Sequence, residues 1–372
     1  MMRRTILDCM TLVGATPSRF DGEKAYISTG AVDCDHIDYT QAESVTYESR
    51  PSRANLSVTE GDMLFAKMCG TKKTLRISKT MAEHLYSTGF CAVRANESVM
   101  IPELLYHLLA SEQFLSQKDQ NSSGATQKAI TNAGLKKITV NVPSLDEQHK
   151  LAAKLDCIED MIAKRYEQLI YLDQLVKSRF IEMFGEPENN NKAWPVKSLD
   201  KLCTVGSSKR VYQSEQSSEG VPFWRISDLV SKIDTGTVDS ALFISEIKYT
   251  ELKRAGLVPV TGDILVTSRG TLGRCYIIQD EDCFYFQDGM ISWLSNYSEE
   301  ITPLYLQYLF TMSGFRKQID NTQAGSTVAY LSIAMLKKLQ VMVPDKALQE
   351  QFAAFVAQTD KSKSFDDLEV AA

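Results

Sequence analysis

Three groups of residues in this chain are of types that can do chemistry: eight cysteines, four histidines and one acidic–basic triplet. The cysteines stand at Cys9, Cys34, Cys69, Cys91, Cys157, Cys203, Cys275 and Cys283. No two have Cys-x-x-Cys spacing, so neither a zinc knuckle nor a redox couple is written here, and free thiols are expected. The histidines, His36, His84, His107 and His149, all lie in the first half. Glu251-Leu252-Lys253 has the Glu-x-Lys spacing of half a nuclease motif. That pattern recurs by chance, and no second copy or metal cluster accompanies it. There is no Gly-x-x-x-x-Gly-Lys phosphate loop and no Asn-Pro-Pro-aromatic methylation motif. No catalytic residue and no metal ligand set is expected.

Basic side chains gather locally instead. Residues 63–82 hold Lys67, Lys72, Lys73, Arg76 and Lys79 with no Asp or Glu, although the net charge is −6 and the pI is near 5.5. The 372 residues suggest about two to three domains, and a hydrophobic share of 44% is normal for a soluble globular protein. No apolar run approaches the roughly 18–20 residues that cross a bilayer. Met1 to Asp8 starts basic, then meets Asp8 and builds no apolar signal-peptide core, so a cytoplasmic protein without membrane contact is expected.

The chain resembles itself. Sliding it by 201 residues lays Ile101 to Pro143 on Thr302 to Pro344 without a gap, and about 15 of the 43 positions are identical. Among them are Pro102/Pro303, Phe114/Phe315, Gly124/Gly325 and Thr126/Thr327. The densest run sets Leu135-Lys136-Lys137 on Leu336-Lys337-Lys338 and Val142-Pro143 on Val343-Pro344. Upstream, Gly61-Asp62-Met63-Leu64 matches Gly262-Asp263-Ile264-Leu265. Near the starts, Leu7-Asp8 with Thr11-Leu12-Val13-Gly14 echoes Leu199-Asp200 with Thr204-Val205-Gly206. Between the Gly-Asp strand and the Pro102/Pro303 helix the likeness nearly vanishes. One scaffold presenting two different surfaces would look like this. The histidines have no counterpart in the second copy, so no site needed by both copies can rest on them.

These residues need elements to position them. Ser28 to Val32 and Phe223 to Ser227 read as short strands entering loops, and Gly262 to Ser268 as a turn feeding an apolar strand. Gly270-Thr271-Leu272-Gly273-Arg274 breaks that strand, which resumes at Cys275 to Ile278. Pro303 opens a helix with Leu306, Leu309 and Phe310 on one face. Gly325-Ser326-Thr327 reads as a loop, Ser332 as the cap of a short helix carrying Leu336, and Leu339 to Val343 as a closing strand. Strands and helices mix without βαβ regularity, which predicts an α+β domain.

From Asp146 to Phe184 there is no Gly or Pro. Leu151, Leu155, Ile158, Ile162, Leu169, Leu172 and Val176 form a heptad seam, with Arg165 in one apolar slot. This predicts a long coiled-coil helix acting as a spacer, ended by Gly185, Pro187 and Asn189-Asn190-Asn191. The expected organisation is a first domain over 1–145, the helical spacer over 146–186, a second domain over 187–345 and a short helical region over 346–372.

Over nearly its whole length the chain resembles the specificity subunits of Type I restriction–modification systems. Three patterns carry the resemblance. One is the Gly-Asp-hydrophobic-Leu strand with a Ser-x-Gly-x-x-Gly turn, Gly262 to Gly273. Another is the run Gly-Ser-Thr…Leu-Lys-Lys…Val-Pro, Gly325 to Pro344. The third is the Glu-Gln opening each helical region, Glu147-Gln148 and Glu350-Gln351. The first copy departs from the family turn: Ala66 to Lys73 lacks the Ser and the second Gly, which suggests another recognition subtype. The second helical region also stops about 28 residues after Pro344, against about 41 past Pro143 in the first, and looks truncated.

The resemblance implies two tandem, pseudo-symmetric target recognition domains, each reading one half of a bipartite, asymmetric site in double-stranded DNA. It implies a non-catalytic subunit that docks two methyltransferase subunits and then restriction/translocase subunits. S-adenosylmethionine, ATP and magnesium would belong to those partners. An acidic remainder would suit a subunit whose partners share the phosphate-binding work. Candidate DNA contacts on variable loops are Lys67, Lys72, Lys73, Gln127 and Lys128 in the first domain. In the second they are Lys209, Arg210, Arg225, Arg269, Arg274 and Tyr330. Lys136-Lys137 and Lys337-Lys338 hold equivalent frame positions, which suits a phosphate or subunit contact. Two other readings stay open: a protein-interaction scaffold with no DNA role, and a truncated, exchangeable specificity cassette.

Overall fold

The structure, a computed structural model, describes residues 2–125, 127–322 and 329–363. Thr126 and the Gly325-Ser326-Thr327 loop lie outside the described residues, as do residues 364–372. Two compact units span Met1–Arg165 and Tyr166–Ala372.

The first unit builds one four-stranded sheet in the order Met10–Val13, Phe90–Ala95, Met63–Ala66, Thr74–Arg76. The second repeats it as Thr204–Gly206, Ile291–Ser295, Ile264–Thr267, Cys275–Ile277. The registers agree: Leu64 opposes Ala92, and Leu265 opposes Trp293. Each unit adds a two-stranded closure, Met2–Thr5 with Thr139–Val142 and Val196–Ser198 with Gln340–Met342. Helices Pro102–Ala110 and Pro303–Leu309 begin on their prolines, whose missing N–H costs nothing in a first turn. Their inward leucines, Leu105, Leu109, Leu306 and Leu309, are fully buried. Ser332 caps helix Ile333–Lys338 by accepting from the Met335 N–H.

A buried glutamine locks each frame. The Gln148 Oε1 accepts from the Ile101 N–H at 3.0 Å, and its Nε2 donates to the carbonyls of Val99 and Pro143 at 2.8 and 3.0 Å. Gln349 does the same with the Thr302 N–H and the carbonyls of Glu300 and Pro344, each at 2.8 Å. The structural counterpart of Gln148 is therefore Gln349, not the Gln351 that a Glu-Gln match selects; Gln351 is exposed. Near the chain start, Leu199 likewise pairs with Ile6 rather than Leu7: Ile6 donates to the Ile138 carbonyl as Leu199 does to Leu339.

The interiors differ. The first unit has a second sheet in the order Glu43–Val45, Lys24–Ile27, Leu85–Ser87, Ala54–Leu56, and the second unit has one of different order and shorter strands, Gln216–Ser217, Phe243–Ile244, Val221–Trp224, Tyr285–Phe286. Ser28 lies past its strand, in a turn where its hydroxyl accepts from Ala31 N–H. The second unit inserts helices Ile226–Thr235 and Glu246–Arg254. Phe223 to Ser227 is therefore not a strand entering a loop. The strand ends at Trp224, and the Asp228 carboxylate accepts from Arg225 N–H at 2.8 Å, starting a helix.

The central helix runs Leu145–Phe184, 40 residues, or about 60 Å at 1.5 Å per residue. Its seam is only half covered. Leu151, Leu155, Ile158 and Ile162 are 36–52% exposed. In the first unit the packed face carries Gln148 and Ala152 instead. In the second, Leu169 and Leu172 are half-buried and Val176 is buried. There helix Lys346–Lys363 covers this face: the Phe180 and Phe352 rings lie 5.4 Å apart, and Lys363 Nζ meets Asp173 Oδ1 at 2.8 Å.

Candidate nucleic-acid interface

One backbone crook recurs in both units. Gly61 and Gly262 take φ of +85° and +87°, a left-handed conformation that favours glycine. The aspartate that follows turns back, and its Oδ2 accepts from Thr59 N–H at 2.8 Å or Val260 N–H at 2.9 Å. That fixes the turn feeding the apolar strand. The strand then enters a loop, 66–73 or 267–274. Ala66 N–H donates to the Lys73 carbonyl at 3.0 Å, and Thr267 N–H to that of Arg274 at 2.9 Å. One residue on, Lys67 donates to the Gly89 carbonyl and accepts from Ile130 N–H, both at 2.9 Å. Ser268 repeats both bonds, to Met290 at 2.9 Å and from Leu331 at 3.0 Å. Each of these partners stands 201 residues from its counterpart. The crook thus lays the strand-end loop beside the segment that ends in Ile130 or Leu331.

In the first unit a cavity of about 340 Å³ opens at this junction. Its lining brings together Lys67, Gln127 and Lys128 from the sequence candidates, with Thr29 and Thr88. It also includes Arg53, which sequence reasoning missed. Arg53 lies upstream of the Gly61-Asp62 turn, outside the matched segments, and its only signal was a basic residue in a polar turn. Lys73 is not among the lining residues and is engaged by its own unit, its Nζ donating to the Thr29 carbonyl at 2.8 Å. Lys72 is exposed, 3.9 Å from Glu112, a surface pair worth little.

In the second unit the guanidinium of Arg269 lies over the Tyr330 ring, 5.3 Å from its centroid, a cation–π arrangement. These two occupy the frame positions of Met68 and Ala129, which bridge in the first unit. Lys209 is held by its backbone, its N–H donating to the Tyr285 hydroxyl at 2.8 Å, with its side chain exposed. Arg210 Nε pairs with Asp288 at 2.8 Å, and that bond raises the arginine pKa further. Arg274 grips Asp234 with two nitrogens, Nη1 at 3.0 Å and Nη2, and is half-buried. Arg225 is exposed at the start of helix Ile226–Thr235.

Several of the groups suited to bond-making are buried or held by neighbours. Burial pushes the Cys9 and Cys91 thiols up to about 11 and Cys203 to about 12, away from thiolate. Glu251-Leu252-Lys253 sits on helix Glu246–Arg254 with Leu252 buried. His107 faces Asp156 from Nε2 at 2.8 Å and Glu159 from Nδ1 at 3.2 Å. Each ring nitrogen has its own carboxylate, so the trio clasps helix Pro102–Ala110 to the central helix. The counterpart of His107 is Tyr308, which packs edge-on against Phe352 at 5.2 Å. A larger cavity in the second unit, about 540 Å³, is lined by Asp263, Asp280 and Asp282 against a single cation, Lys253, a balance of the wrong sign for phosphate. No helix among the described residues is long and apolar enough to cross a membrane.

The chain is similar to known proteins in sequence and in fold. A protein of Haemophilus influenzae assigned as type I restriction enzyme specificity subunit S.HindORF215P is 26% identical over 252 residues, 66% of this chain and 60% of that protein. The MjaIX specificity subunit of Methanocaldococcus jannaschii is 23% identical over 293 residues, 72% of this chain and 64% of that one. The chain thus spans about three fifths of the length of these relatives. Among solved structures, the S subunit of a Type I restriction–modification system from M. genitalium is similar with a TM-score of 0.54 at 16% identity. That match covers 97% of this chain and 90% of that one. A chain from a structure on assembly and conformational transition of the type I R-M system has a TM-score of 0.51 at 18% identity, covering 97% and 93%. The family described as Type I restriction modification DNA specificity domain matches residues 16–170 and again 191–366. With both copies of its repeat, the chain belongs to the Type I restriction modification DNA specificity domain family.

Proposed function

We propose that this chain is the DNA-reading subunit of a Type I restriction–modification complex, each domain reading one half of a bipartite, asymmetric site. The observation that carries this reading is the repeated crook with unlike side chains. Lys67, Met68, Lys128 and Ala129 in one copy answer to Ser268, Arg269, Ala329 and Tyr330 in the other. Phosphate contacts position a protein on DNA, and base-edge contacts specify the sequence. A common frame with different contact groups therefore suits two different half-sites. A symmetric homodimer reads a palindrome, whereas one chain with two unlike copies reads unlike halves.

Methyltransferase subunits, two in this reading, and restriction/translocase subunits dock on the chain. S-adenosylmethionine, ATP and magnesium belong to them, and the chain is itself non-catalytic. The central helix sets the gap between half-sites. The chain is expected to co-purify with an adenine methyltransferase subunit and, when isolated, to transfer no methyl group. Methyl incorporation into DNA by the isolated chain would contradict this.

The net charge of −6 leaves only local patches to neutralise phosphates. The assembled complex is expected to bind with a steep salt dependence. Lys67→Gln and Lys128→Gln should each lower the slope of log K against log salt by about 1. A slope that either substitution leaves unchanged would remove that lysine from phosphate contact.

A further inference from the structure

We propose that Lys118 is a specificity-determining positioning residue: a buried ammonium that moulds the first recognition loop, residues 66–73, into a shape the second loop reaches without one. The specificity half of this proposal rests on the DNA-reading function above; the moulding of the loop does not.

Lys118 lies on helix Glu112–Gln120 and is only 1% exposed. Its Nζ donates to the carbonyls of Thr71 at 2.7 Å, Met68 at 3.0 Å and Ala66 at 3.4 Å. Three carbonyls of one loop thus turn inward onto one cation. Asp119 completes the arrangement, its Oδ2 accepting from Gly70 N–H at 2.9 Å and its Oδ1 lying 3.5 Å from the ammonium. A buried lysine without such partners would be costly. Burial draws the lysine pKa down, and Asp119 opposes that shift.

The second copy solves the same problem differently. The residue 201 positions later is Ile319, fully buried and unable to meet a carbonyl. Loop 267–274 turns at two glycines, Gly270 and Gly273, with φ of +69° and +73°. Loop 66–73 has one glycine, Gly70, at φ +73°. A Cβ at Gly273 would lie 2.7 Å from Ile319 Cδ1, so that glycine and that isoleucine fit as a pair. Two loop carbonyls are met in other ways: within the loop the Thr267 hydroxyl donates to Thr271 at 2.5 Å, and the half-buried Arg316, on the same helix as Ile319, donates from Nη2 to Leu272 at 3.0 Å. The helix residue and the loop type therefore change together. In the first copy the lysine stands in for the missing second glycine. Its loop carries Lys67 and binds Lys128 through Cys69 N–H at 2.9 Å, so a loop released from Lys118 would move both.

The test compares wild type with Lys118→Met as the full chain and as the assembled complex. Backbone hydrogen exchange in the full chain is expected to quicken about tenfold or more over residues 66–73 and 128–130, with the rest unchanged. Sequencing of methylated sites in cells carrying the variant complex should show one half-site becoming degenerate, with the other half-site and the gap kept. Unchanged exchange would overturn the proposal, as would quickened exchange with both half-sites intact. A wild-type complex that marks no bipartite site would fault the DNA-reading function instead, and exchange would still decide the role of Lys118 in the loop. If Lys118→Met unfolds the first unit, a second variant decides. It joins Lys118→Ile to a loop 66–73 carrying the 267–274 sequence. That variant is expected to fold with an ordered loop, and its unfolding would overturn the proposal.

Discussion

Gln148→Leu is expected to destabilise the first unit by about 3 kcal/mol or more, and Gln349→Leu to do the same to the second. Both glutamines are essentially unexposed, at 1% and 0%. Leucine fills a similar volume but makes no hydrogen bond. Gln148→Leu would leave the Ile101 N–H and the carbonyls of Val99 and Pro143 without their partner. Each such orphaned group costs about 1–3 kcal/mol. The loss also reaches the elements that hold the crook in place, because Ile101 leads into helix Pro102–Ala110 and Pro143 into the central helix. Hydrogen exchange in increasing urea reads the two units separately. Each variant should lower protection in its own unit and spare the other. A loss under about 1 kcal/mol, the size of one ordinary hydrogen bond, would mean that water or local shifts replace the glutamine.

Much of the frame was legible because the repeat preserves residues whose hydrogen bonds the frame needs. Gln117 closes on both backbone groups of Thr139 at 3.0 Å, and Gln318 closes on Gln340 at 3.0 and 2.9 Å. The Gly-Asp pairs were visible for the same reason: one residue supplies the left-handed turn and the next caps it. Gln349 was misplaced because a Glu-Gln pair stands two positions away, and pair matching ignores which side chain is buried. The half-exposed seam shows a further limit. A heptad pattern records which residues could pack, while the first unit uses the Gln148 and Ala152 face. Helix Ile226–Thr235 was hidden because Phe223-Trp224 forms a strong strand signal immediately before it. Lys118 was invisible: Gln-Lys-Asp-Gln on a helix reads as a solvated face, and only the loop folded over it buries the ammonium. Of the contact candidates, Lys67, Gln127 and Lys128 come together, as do Arg269 and Tyr330, whereas Lys73 and Arg274 are engaged by their own units.

A chain in which residues 187–345 replace residues 1–145 on the same central helix is expected to direct methylation to two identical half-sites. The frame permits the exchange: Gln148 closes its network on the Ile101, Val99 and Pro143 backbones, and the replacing copy carries the equivalents Thr302, Glu300 and Pro344. The loop anchors at Lys67 and Ser268 also match bond for bond. What the exchange removes is the first copy's proposed recognition surface, the loops that carry Lys67, Gln127, Lys128 and Arg53. Since base-edge contacts carry sequence information, discarding that set should erase the half-site it reads. The gap should stay the same, because the helix does. Methylome sequencing of cells that express this chain with its methyltransferase subunit is the most direct measurement. The expected result is a site built from two copies of the half-site read by the second domain, at the original spacing. A site that still combines two unlike halves would contradict the claim that each copy of the repeat reads its own half.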